Sequence, residues 1–439
     1  MKRKFKNFVK GIMDTLGVFG IYKNIRENLL VFEVVRCKRN YAKQVEKLRD
    51  RPKNQKIRVL FIVSEISKWK EQKLYEAMEE TGDFYPIVGI SAWNRQLESA
   101  CSNEELLKIH QNAEEFFNQL GDRHVRTVIV KDGRRVHIDL KVLKPDIVFY
   151  TEPWSPCEGQ DPCTVSKFAL TFFASYYVGD YCQLDWDCHL MVQRLVFGYF
   201  CLNETMCEAY EKSLRFVVHS TRFIPTGHPG LDFFKEEERN IENKGYVIYA
   251  PHFSFPNPNA PDFGERLSTF DWNGREILEY AESHPEMNWV FKPHPILKEW
   301  ILDSGFMEQK GLSDYFSRWA KVGLVCEDGD YQNLFLQSRV MITDSGSFLT
   351  EYGATGNPVI HLICNENKMR PIAAVKPVWD TYYKVYDLDS LHSVFKMVLE
   401  DGKDPNYDVR QGALSRSGIC NQYASANIVK YIGHLLEHG

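Results

Sequence analysis

The segment "VMITDSGSFLTEYGATGNPVIHL", Val340 to Leu362, runs from an apolar stretch through small hydroxyl residues and a carboxylate into a second apolar stretch. Each short, β-branched apolar run is typical of a strand buried on both faces of a parallel sheet. The "FLTEYGA" between them predicts a helix. A strand, a helix and a second strand in this order indicate an α/β fold.

The same alternation of strands and helices covers most of the chain in two series. The first begins at "IRVLFIVSE" (Ile57 to Glu65) and includes a predicted strand "RTVIV" at residues 126–130; the second begins at "GYVIYAP" (Gly245 to Pro251). Between them, residues 226–245 are charged and rich in turn-forming residues, which indicates a domain junction. With 439 residues the chain is long enough for two cores.

We therefore predict an α/β protein with two Rossmann-like domains that face a cleft. The first domain is expected over residues 57–235 and the second over residues 236–439. Residues 1–56 are predicted to form a separate, helical and basic N-terminal segment.

Positive charge is concentrated in that N-terminal segment. Residues 1–57 contain 16 Lys and Arg against 5 Asp and Glu, a local charge of +11, whereas the whole chain carries −5. The remainder therefore carries −16. This asymmetry disfavours a chain-wide nucleic-acid surface, so we expect no nucleic-acid partner.

Apolar residues recur at helical spacing among these basic residues: Phe5, Phe8, Val9, Ile12, Met13 and Leu16. A basic amphipathic helix of this kind is typical of a segment that lies on an anionic membrane surface. The alternative is a helix that packs on the core of the protein itself. Since we find neither a signal peptide nor a run of ~20 apolar residues, we predict a cytoplasmic protein, peripheral on the inner face of the cell membrane.

The cysteines favour reduced thiols. There are eleven, an odd number, with no C-x-x-C pair and no zinc-like spacing of His and Cys. We therefore predict no metal site and no resident cofactor.

Candidate ligand-binding residues follow the strand that ends at Thr343. Asp344, Ser345, Gly346 and Ser347 would lie at a helix N-terminus, where free N–H groups and the helix dipole favour an anion such as a phosphate. Helix capping selects the same residue types and is the alternative. Glu351 would lie one turn further on, where its carboxylate could bind ribose hydroxyls or could instead be a solvated surface group.

Two further motifs also follow predicted strands. In "FKPHP", Phe291 to Pro295, His294 is held between two prolines and accompanies Lys292. In "YAPHFSF", Tyr249 to Phe255, His252 and Ser254 would open the neighbouring loop. Because the carboxyl ends of parallel strands meet at one edge of a sheet, these side chains should face the ligand crevice. His294 could donate to a leaving diphosphate or move a proton near neutral pH.

Taken together, "YAPHFSF", "FKPHP", "ITDSGSFLTEYGATGNPVIHL" and "TGHPGLDFF" resemble the C-terminal half of the CDP-glycerol glycerophosphotransferase family. This family contains teichoic-acid and capsule polymerases with a GT-B-like fold. The resemblance covers about Thr226 to Leu362 and extends weakly into the first half through "KPDIVFYTEPW" and "SYYVG".

The resemblance implies a nucleotide-donor domain in the second half and an acceptor domain in the first. It implies that His294 contacts the diphosphate, that Ser345 and Ser347 bind phosphate oxygens, and that Glu351 holds the ribose or the adjoining group. Family members carry a His-Gly pair as the base in the first half, whereas this chain reads "YTEPWSP", in which Glu152 is the nearest ionisable substitute.

We therefore expect a transferase that moves a glycerophosphate or sugar group from a CDP- or UDP-linked donor to a lipid-linked or polysaccharide acceptor. The catalytic candidates are His294, Glu152 and His252, and the donor-binding candidates are Asp344, Ser345, Gly346, Ser347, Glu351, Ser254 and Lys292. The alternatives are a sugar-nucleotide 2-epimerase of the same architecture and a non-catalytic peripheral membrane protein.

Overall fold

A computed structural model describes residues 18–92, 102–121, 123–154, 156–178, 190–237, 241–261, 263, 266–327, 331–364, 371–419 and 423–437. Two parallel sheets dominate the structure, one in each half of the chain. The predicted α/β class with two Rossmann-like halves is confirmed.

The first sheet is built from apolar runs that are buried on both faces, as "IRVLFIV" predicts. Its order is β3-β2-β1-β6-β7-β8-β9, and all neighbouring strands are parallel. The strands of this half are β1 (Ile57–Val63), β2 (Phe84–Ile90), β3 (His124–Arg126), β4 (Val128–Lys131), β5 (Arg134–His137), β6 (Ile147–Tyr150), β7 (Leu170–Phe173), β8 (Gly198–Cys201) and β9 (Arg222–Pro225).

Helices connect these strands. They are α1 (Val18–Arg49), α2 (Gln72–Glu80), α3 (Asn103–Phe117), α4 (Pro162–Val165), α5 (Met191–Leu195), α6 (Glu204–Ser213) and α7 (Pro229–Glu237), with short 3-10 turns at Ile66–Lys68, Asn118–Leu120 and Leu140–Leu143. Helix α7 lies inside the junction 226–245, where the sequence predicts turns. The strand order reverses between β1 and β6, which is the switch point where such sheets bind ligands.

The predicted strand at residues 126–130 is wrong in its bounds and its partner. The parallel sheet takes only His124–Arg126, while β4 pairs with β5 in an antiparallel hairpin of its own. Asp132 and Gly133 form the two-residue turn, with φ values of 50° and 71°. An Asp-Gly pair at this spacing is a strong hairpin signal, because both turn residues need positive φ.

The second sheet has the order β12-β11-β10-β13-β14-β15, again with all neighbours parallel. Its strands are β10 (Tyr246–Ala250), β11 (Trp289–Phe291), β12 (Leu324–Val325), β13 (Ser338–Thr343), β14 (Val359–Leu362) and β15 (Tyr383–Val385). The order reverses between β10 and β13, so this sheet also has a switch point.

The helices of this half cover both faces of the sheet. They are α8 (Phe270–Ser283), α9 (Leu297–Asp303), α10 (Gln309–Val322), α11 (Gln332–Leu336), α12 (Gly346–Gly353), α13 (Lys376–Trp379), α14 (Leu388–Phe395), α15 (Tyr407–Ser417) and α16 (Ala424–Glu437), with a 3-10 turn at Pro285–Met287 and a π-helical turn at Lys396–Glu400.

The two terminal helices pack on the first sheet. Helix α1 buries an apolar stripe at helical spacing, and helix α16 adds Ile428 and Ile432 to the same core. The Tyr41 hydroxyl of α1 donates to the carbonyl oxygen of Leu195 over 2.7 Å. The buried residues of the α1 stripe are Leu30, Val34, Cys37, Tyr41, Val45 and Leu48.

Both helices lie outside residues 57–235, the range predicted for the first domain, and yet they pack on its sheet. Residues 30–49 pack on the protein's own core. The amphipathic residues Phe5 to Leu16 lie outside the described residues. In the part of the chain that is described, no helix combines the length and apolar character needed to cross a membrane.

Candidate functional site

The second switch point brings three predicted motifs together. Strand β10 lies between β11 and β13, so the residues that follow these strands meet at the carboxyl edge of the sheet. His252 follows β10, His294 follows β11, and Asp344 with Ser345 follows β13.

The two histidines form the centre of this edge. Their ring centroids lie 4.8 Å apart in an edge-on arrangement. Nδ1 of His294 accepts from the N–H of Ile296 over 3.2 Å, and Nδ1 of His252 accepts from the N–H of Ser254 over 3.3 Å. An Nδ1 that accepts carries no proton, so each neutral ring has its N–H at Nε2. Ser254, a predicted donor-binding residue, also places its hydroxyl 2.8 Å from Nδ1 of His252, and so positions that ring.

Both histidines are held in the neutral form. Burial lowers the pKa of His294 to about 4, and the Lys292 ammonium acts in the same direction. Burial lowers the pKa of His252 well below its usual range, with a further contribution from His294. These pKa values support the role of hydrogen-bond donor for His294 over that of a group titrating near pH 7. A bound anion would stabilise the protonated rings and raise both pKa values.

Asp344 acts on the protein's own loops. Its Oδ1 accepts from the N–H of His252 over 2.6 Å, and its Oδ2 accepts from the N–H and the hydroxyl of Thr269, each over 2.7 Å. Burial raises the pKa of Asp344 to about 6, and the hydrogen bonds from His252 and Thr269 oppose that shift. The sequence predicts that this carboxylate binds the donor. In the structure both of its oxygens accept hydrogen bonds from the protein itself and connect the loop after β10 to the start of α8. Asp344 is therefore a positioning residue.

The first turn of α12 has the features predicted for an anion seat. The helix begins at Gly346, and the hydroxyl of Ser345 makes no capping hydrogen bond. Helix capping by this side chain is therefore not what the structure shows. The first N–H groups of a helix have no intrahelical partner, and they lie beside Ser345, which is buried, and Ser347, which is exposed.

Glu351 is not a solvated surface residue. It is 4% exposed, and its Oε2 accepts from the Tyr331 hydroxyl over 2.7 Å. Its Oε1 lies 3.9 Å from Nζ of Lys70, which comes from the first domain. The carboxylate predicted to hold ribose is thus placed between its own domain and the facing one.

Lys70 is a candidate that the sequence does not single out. It follows β1 and the 3-10 turn after it, is buried, and places Nζ 4.0 Å from the ring centroid of Tyr331. Nζ of Lys292 lies 5.7 Å from the same centroid. Two buried ammonium groups therefore converge on one ring from opposite domains, which makes this part of the cleft suited to an anion.

Glu152 lies at the switch point of the first sheet, immediately after β6. Its Oε1 accepts from the N–H of Ser64 over 3.2 Å and its Oε2 from Nζ of Lys68 over 2.9 Å. Burial lowers the pKa of Lys68, but the carboxylates of Glu152 and Glu65 outweigh that effect and raise it overall.

Glu71 is the second residue that sequence reasoning missed. It is fully buried at the start of α2, where its Oε2 accepts from the N–H of Lys70 over 3.0 Å. Within the described part of the chain its Oε1 has no hydrogen-bond partner. Burial raises the pKa of Glu71 to about 8. In the sequence, "KWKEQKLYEAMEE" reads as an ordinary charged helix start, with no pattern that marks this carboxyl as buried.

His228 of the "TGHPG" motif has a structural role. Its Nδ1 accepts from the N–H of Gly230 over 3.1 Å, and its Nε2–H donates to the carbonyl oxygen of Ser175 over 2.7 Å. Both ring nitrogens are thus used within the first domain. Among the described residues, no group of three or more His, Cys, Asp or Glu side chains is placed to hold a metal ion.

Comparison with known proteins gives a structural result only. No protein-family model matches the chain, and no curated protein is significantly similar to it in sequence. The solved structure of the wall teichoic acid polymerase TagF superposes with a TM-score of 0.50 at 12% identity, over 95% of this chain and 97% of that one. The fold is GT-B-like.

Other GT-B-like structures are also similar. The UDP-GlcNAc 2-epimerase of Neisseria meningitidis, solved with UDP-GlcNAc, gives a TM-score of 0.49 at 16% identity, over 86% of this chain and 99% of that one. A glycosyltransferase from Rickettsia africae gives 0.44 at 12% identity, over 87% and 98%. The GT-B-like fold predicted from the sequence is confirmed by the similarity to TagF and by the two parallel sheets.

Proposed function

We propose that this protein is a transferase that moves a glycerophosphate or sugar group from a CDP- or UDP-linked donor to a membrane-linked or polysaccharide acceptor. The observation that carries the proposal is the pair of neutral histidines beside the first turn of α12. Each ring keeps its N–H at Nε2, and His294 and His252 lie 4.8 Å apart between their centroids. A CDP-linked donor is the first choice because the motifs of the second half resemble the CDP-glycerol glycerophosphotransferase family.

In the proposed reaction an acceptor hydroxyl oxygen forms a bond to the transferred group as the bond to the nucleotide breaks. The nucleotide leaves with the electron pair of that bond, and the acceptor proton passes to a base. The imidazole N–H donors, Lys292 and the free N–H groups of α12 would stabilise the negative charge that grows on the leaving phosphate. Glu152 is the candidate base at the first switch point. Its Oε2 lies 2.9 Å from Nζ of Lys68.

Binding of the donor tests the proposal first. The purified protein would be heated with a panel of CDP- and UDP-linked donors, and a ligand that binds the folded state should raise the unfolding temperature. We expect one nucleotide class to protect. No protection by any nucleotide would contradict the proposal and favour a non-catalytic role.

Replacement of His294 tests the role of the histidine pair. His294→Ala should lower turnover by about 10²- to 10³-fold, the loss typical of one donor to a developing charge. His392→Ala, on the exposed surface of α14, is the matched control and should keep full activity. An active His294→Ala enzyme would refute the assignment. Conversion of a donor to its epimer without acceptor would instead support a sugar-nucleotide 2-epimerase.

We also propose that the basic N-terminal segment places the enzyme on the cytoplasmic face of the membrane. The support is the +11 charge of residues 1–57 and the apolar spacing of Phe5 to Leu16. A lipid-linked acceptor would then lie within reach. Sedimentation of the full chain with anionic vesicles at low and high salt tests this, and failure to sediment at low salt would contradict it.

A further inference from the structure

A second cavity lies far from the cleft, on the other edge of the first sheet. It encloses about 730 Å³ between α1, the residues that precede β9, and the end of α16. Its lining includes Phe197 and residues 219–222, which come just before β8 or at the start of β9. These strands are parallel to β6, so the cavity lies at the amino edge of the sheet, whereas Glu152 lies at the carboxyl edge.

Three cations line this cavity. Lys38, Arg49 and Arg222 contribute to the wall, together with Glu46. Arg49 donates to the carbonyl oxygen of Leu435 over 2.7 Å, and the Arg222 guanidinium lies 4.5 Å from the ring centroid of Phe197. Over the described ranges no carboxylate forms an ion pair with any of the three. The cavity therefore carries a surplus of positive charge and is suited to an anion.

Large apolar side chains are exposed on two of the elements that contribute to the cavity wall. On α1, Phe32 is 73% exposed and Val35 is 59% exposed, one to two turns ahead of Lys38. In the loop that leads to His219, Phe216 is 92% exposed, and Val218 is also exposed. Isolated apolar residues are common on protein surfaces, but four large ones on the two elements that form a basic cavity indicate an interaction site.

We propose that this cavity binds the phosphate headgroup of an anionic phospholipid in a bilayer. A phospholipid has the combination that the surface requires, a negatively charged group next to hydrocarbon. Lys38 and Arg222 would contact the phosphate, and Phe32 and Phe216 would enter the apolar boundary of the bilayer. The site is separate from the donor cleft and does not depend on residues 1–17, which are outside the described residues.

Charge reversal at the cavity tests the proposal. The full chain and the variant Lys38→Glu/Arg222→Glu would be sedimented with vesicles of phosphatidylcholine, with and without phosphatidylglycerol. We expect vesicle affinity to fall at least about tenfold, since each basic residue near an anionic surface contributes attraction. The control is Lys310→Glu/Lys321→Glu, which makes the same change of charge on the exposed face of α10; it should bind almost as the unmodified chain does.

Phe216→Ser provides an independent variant that cannot disturb the core, because this side chain is almost fully exposed. The loss of vesicle binding in Phe216→Ser should persist at high salt, because salt screens charge but does not weaken apolar burial. Equal losses in the cavity variant and the control would overturn the proposal, since general electrostatics would then explain binding. Unchanged vesicle binding in both the cavity variant and Phe216→Ser would also overturn it.

The same variants distinguish binding of a lipid in the cavity from binding of other anions there and from binding of a nucleotide at the donor site. If inorganic phosphate or a soluble anionic polysaccharide stabilises the protein while vesicles do not bind, the cavity takes a different ligand and the lipid proposal is wrong. Nucleotide-dependent stabilisation should be the same in the cavity variant and the unmodified chain. The proposed transferase function can therefore fail or succeed independently of this inference.

Discussion

At the scale of single residues, Lys70 connects the two halves of the cleft. It belongs to the first domain, yet its Nζ lies 3.9 Å from Glu351 and 4.0 Å from the ring centroid of Tyr331, both in the second. Lys292 approaches the same ring from its own domain. A donor diphosphate in the cleft would thus meet one lysine from each domain.

Lys70→Met keeps the apolar stem and removes the charge. We expect donor affinity to fall about 10- to 100-fold, the range for one hydrogen bond to a charged group. The change also leaves Glu351 buried without that cation, which should lower the free energy of unfolding. Isothermal titration with the protective nucleotide and urea unfolding measure the two effects.

Two further variants complete this test. Lys70→Met/Glu351→Gln should recover stability but not affinity, because it removes the unpaired charge and still lacks the ammonium. Lys73→Met, on the helix α2 that follows Lys70, should leave nucleotide binding unchanged. Full affinity in Lys70→Met would show that the first domain does not contribute to donor binding.

Glu71 should make stability depend on pH. Burial raises its pKa from 4.5 to about 8, so its contribution is fully present below pH 4.5 and is lost as the pH rises through 8. Within that window each pH unit lowers the free energy of unfolding by up to about 1.4 kcal/mol. Glu71→Gln should remove this slope, and urea unfolding from pH 4 to 9 would show it. Parallel curves for the two proteins would mean that Glu71 is not buried as described.

At the scale of secondary-structure elements, the loops that follow β10, β11 and β13 hold the histidines in place. Asp344 accepts three hydrogen bonds from His252 and Thr269 and so ties two loops to the end of β13. The positions of the site residues therefore depend on a buried carboxylate that need not touch a ligand.

Asp344→Asn should weaken this connection. The amide nitrogen cannot accept a hydrogen bond, so one set of N–H donors loses its partner at a cost of about 1–3 kcal/mol. Nucleotide affinity should fall as well, because His252 is no longer held. Asp389→Asn, exposed on α14, is the control for urea unfolding and nucleotide binding. A variant with normal stability and binding would show that the carboxylate does not hold these loops.

The elements were predictable where a local pattern determines them. Buried runs such as "IRVLFIV" and "VMIT" predicted the strands. Because His252, His294 and Ser345 follow β10, β11 and β13, the sequence also predicted that they lie close together. The hairpin of β4 and β5 was missed although its Asp-Gly turn is a local signal. The contacts of Lys70 with Glu351 and Tyr331 had no such signal, because they depend on how two separate domains face each other.

At the scale of the whole molecule, helix α16 returns from the second half of the chain to the first domain. It buries Ile428 and Ile432 in the core formed around β1, β6 and β7. The backbone N–H groups of Ala424 and Ser425 donate to Asp232 over 2.9 and 2.7 Å. The second sheet is thus inserted in the chain between two parts that pack together.

Ile428→Ala should destabilise the first domain, even though it lies near the end of the chain. A large-to-small change at a fully buried position costs about 2–5 kcal/mol. Lys430→Ala, two residues on and exposed, should cost little. Calorimetric unfolding of both variants distinguishes them; equal transition temperatures would mean that α16 is not part of this core.

This return of the chain also has a consequence during protein synthesis. Domains generally fold as units in the order in which they leave the ribosome. Here the first domain, although it begins first, lacks the helix that closes its core until residues 424–437 have been made. The second domain has all of its strands by Val385, so it can complete its sheet earlier. We therefore expect the nascent chain to acquire its C-terminal fold first, and chaperones to meet an exposed apolar face of the N-terminal domain until residues 424–437 have been made.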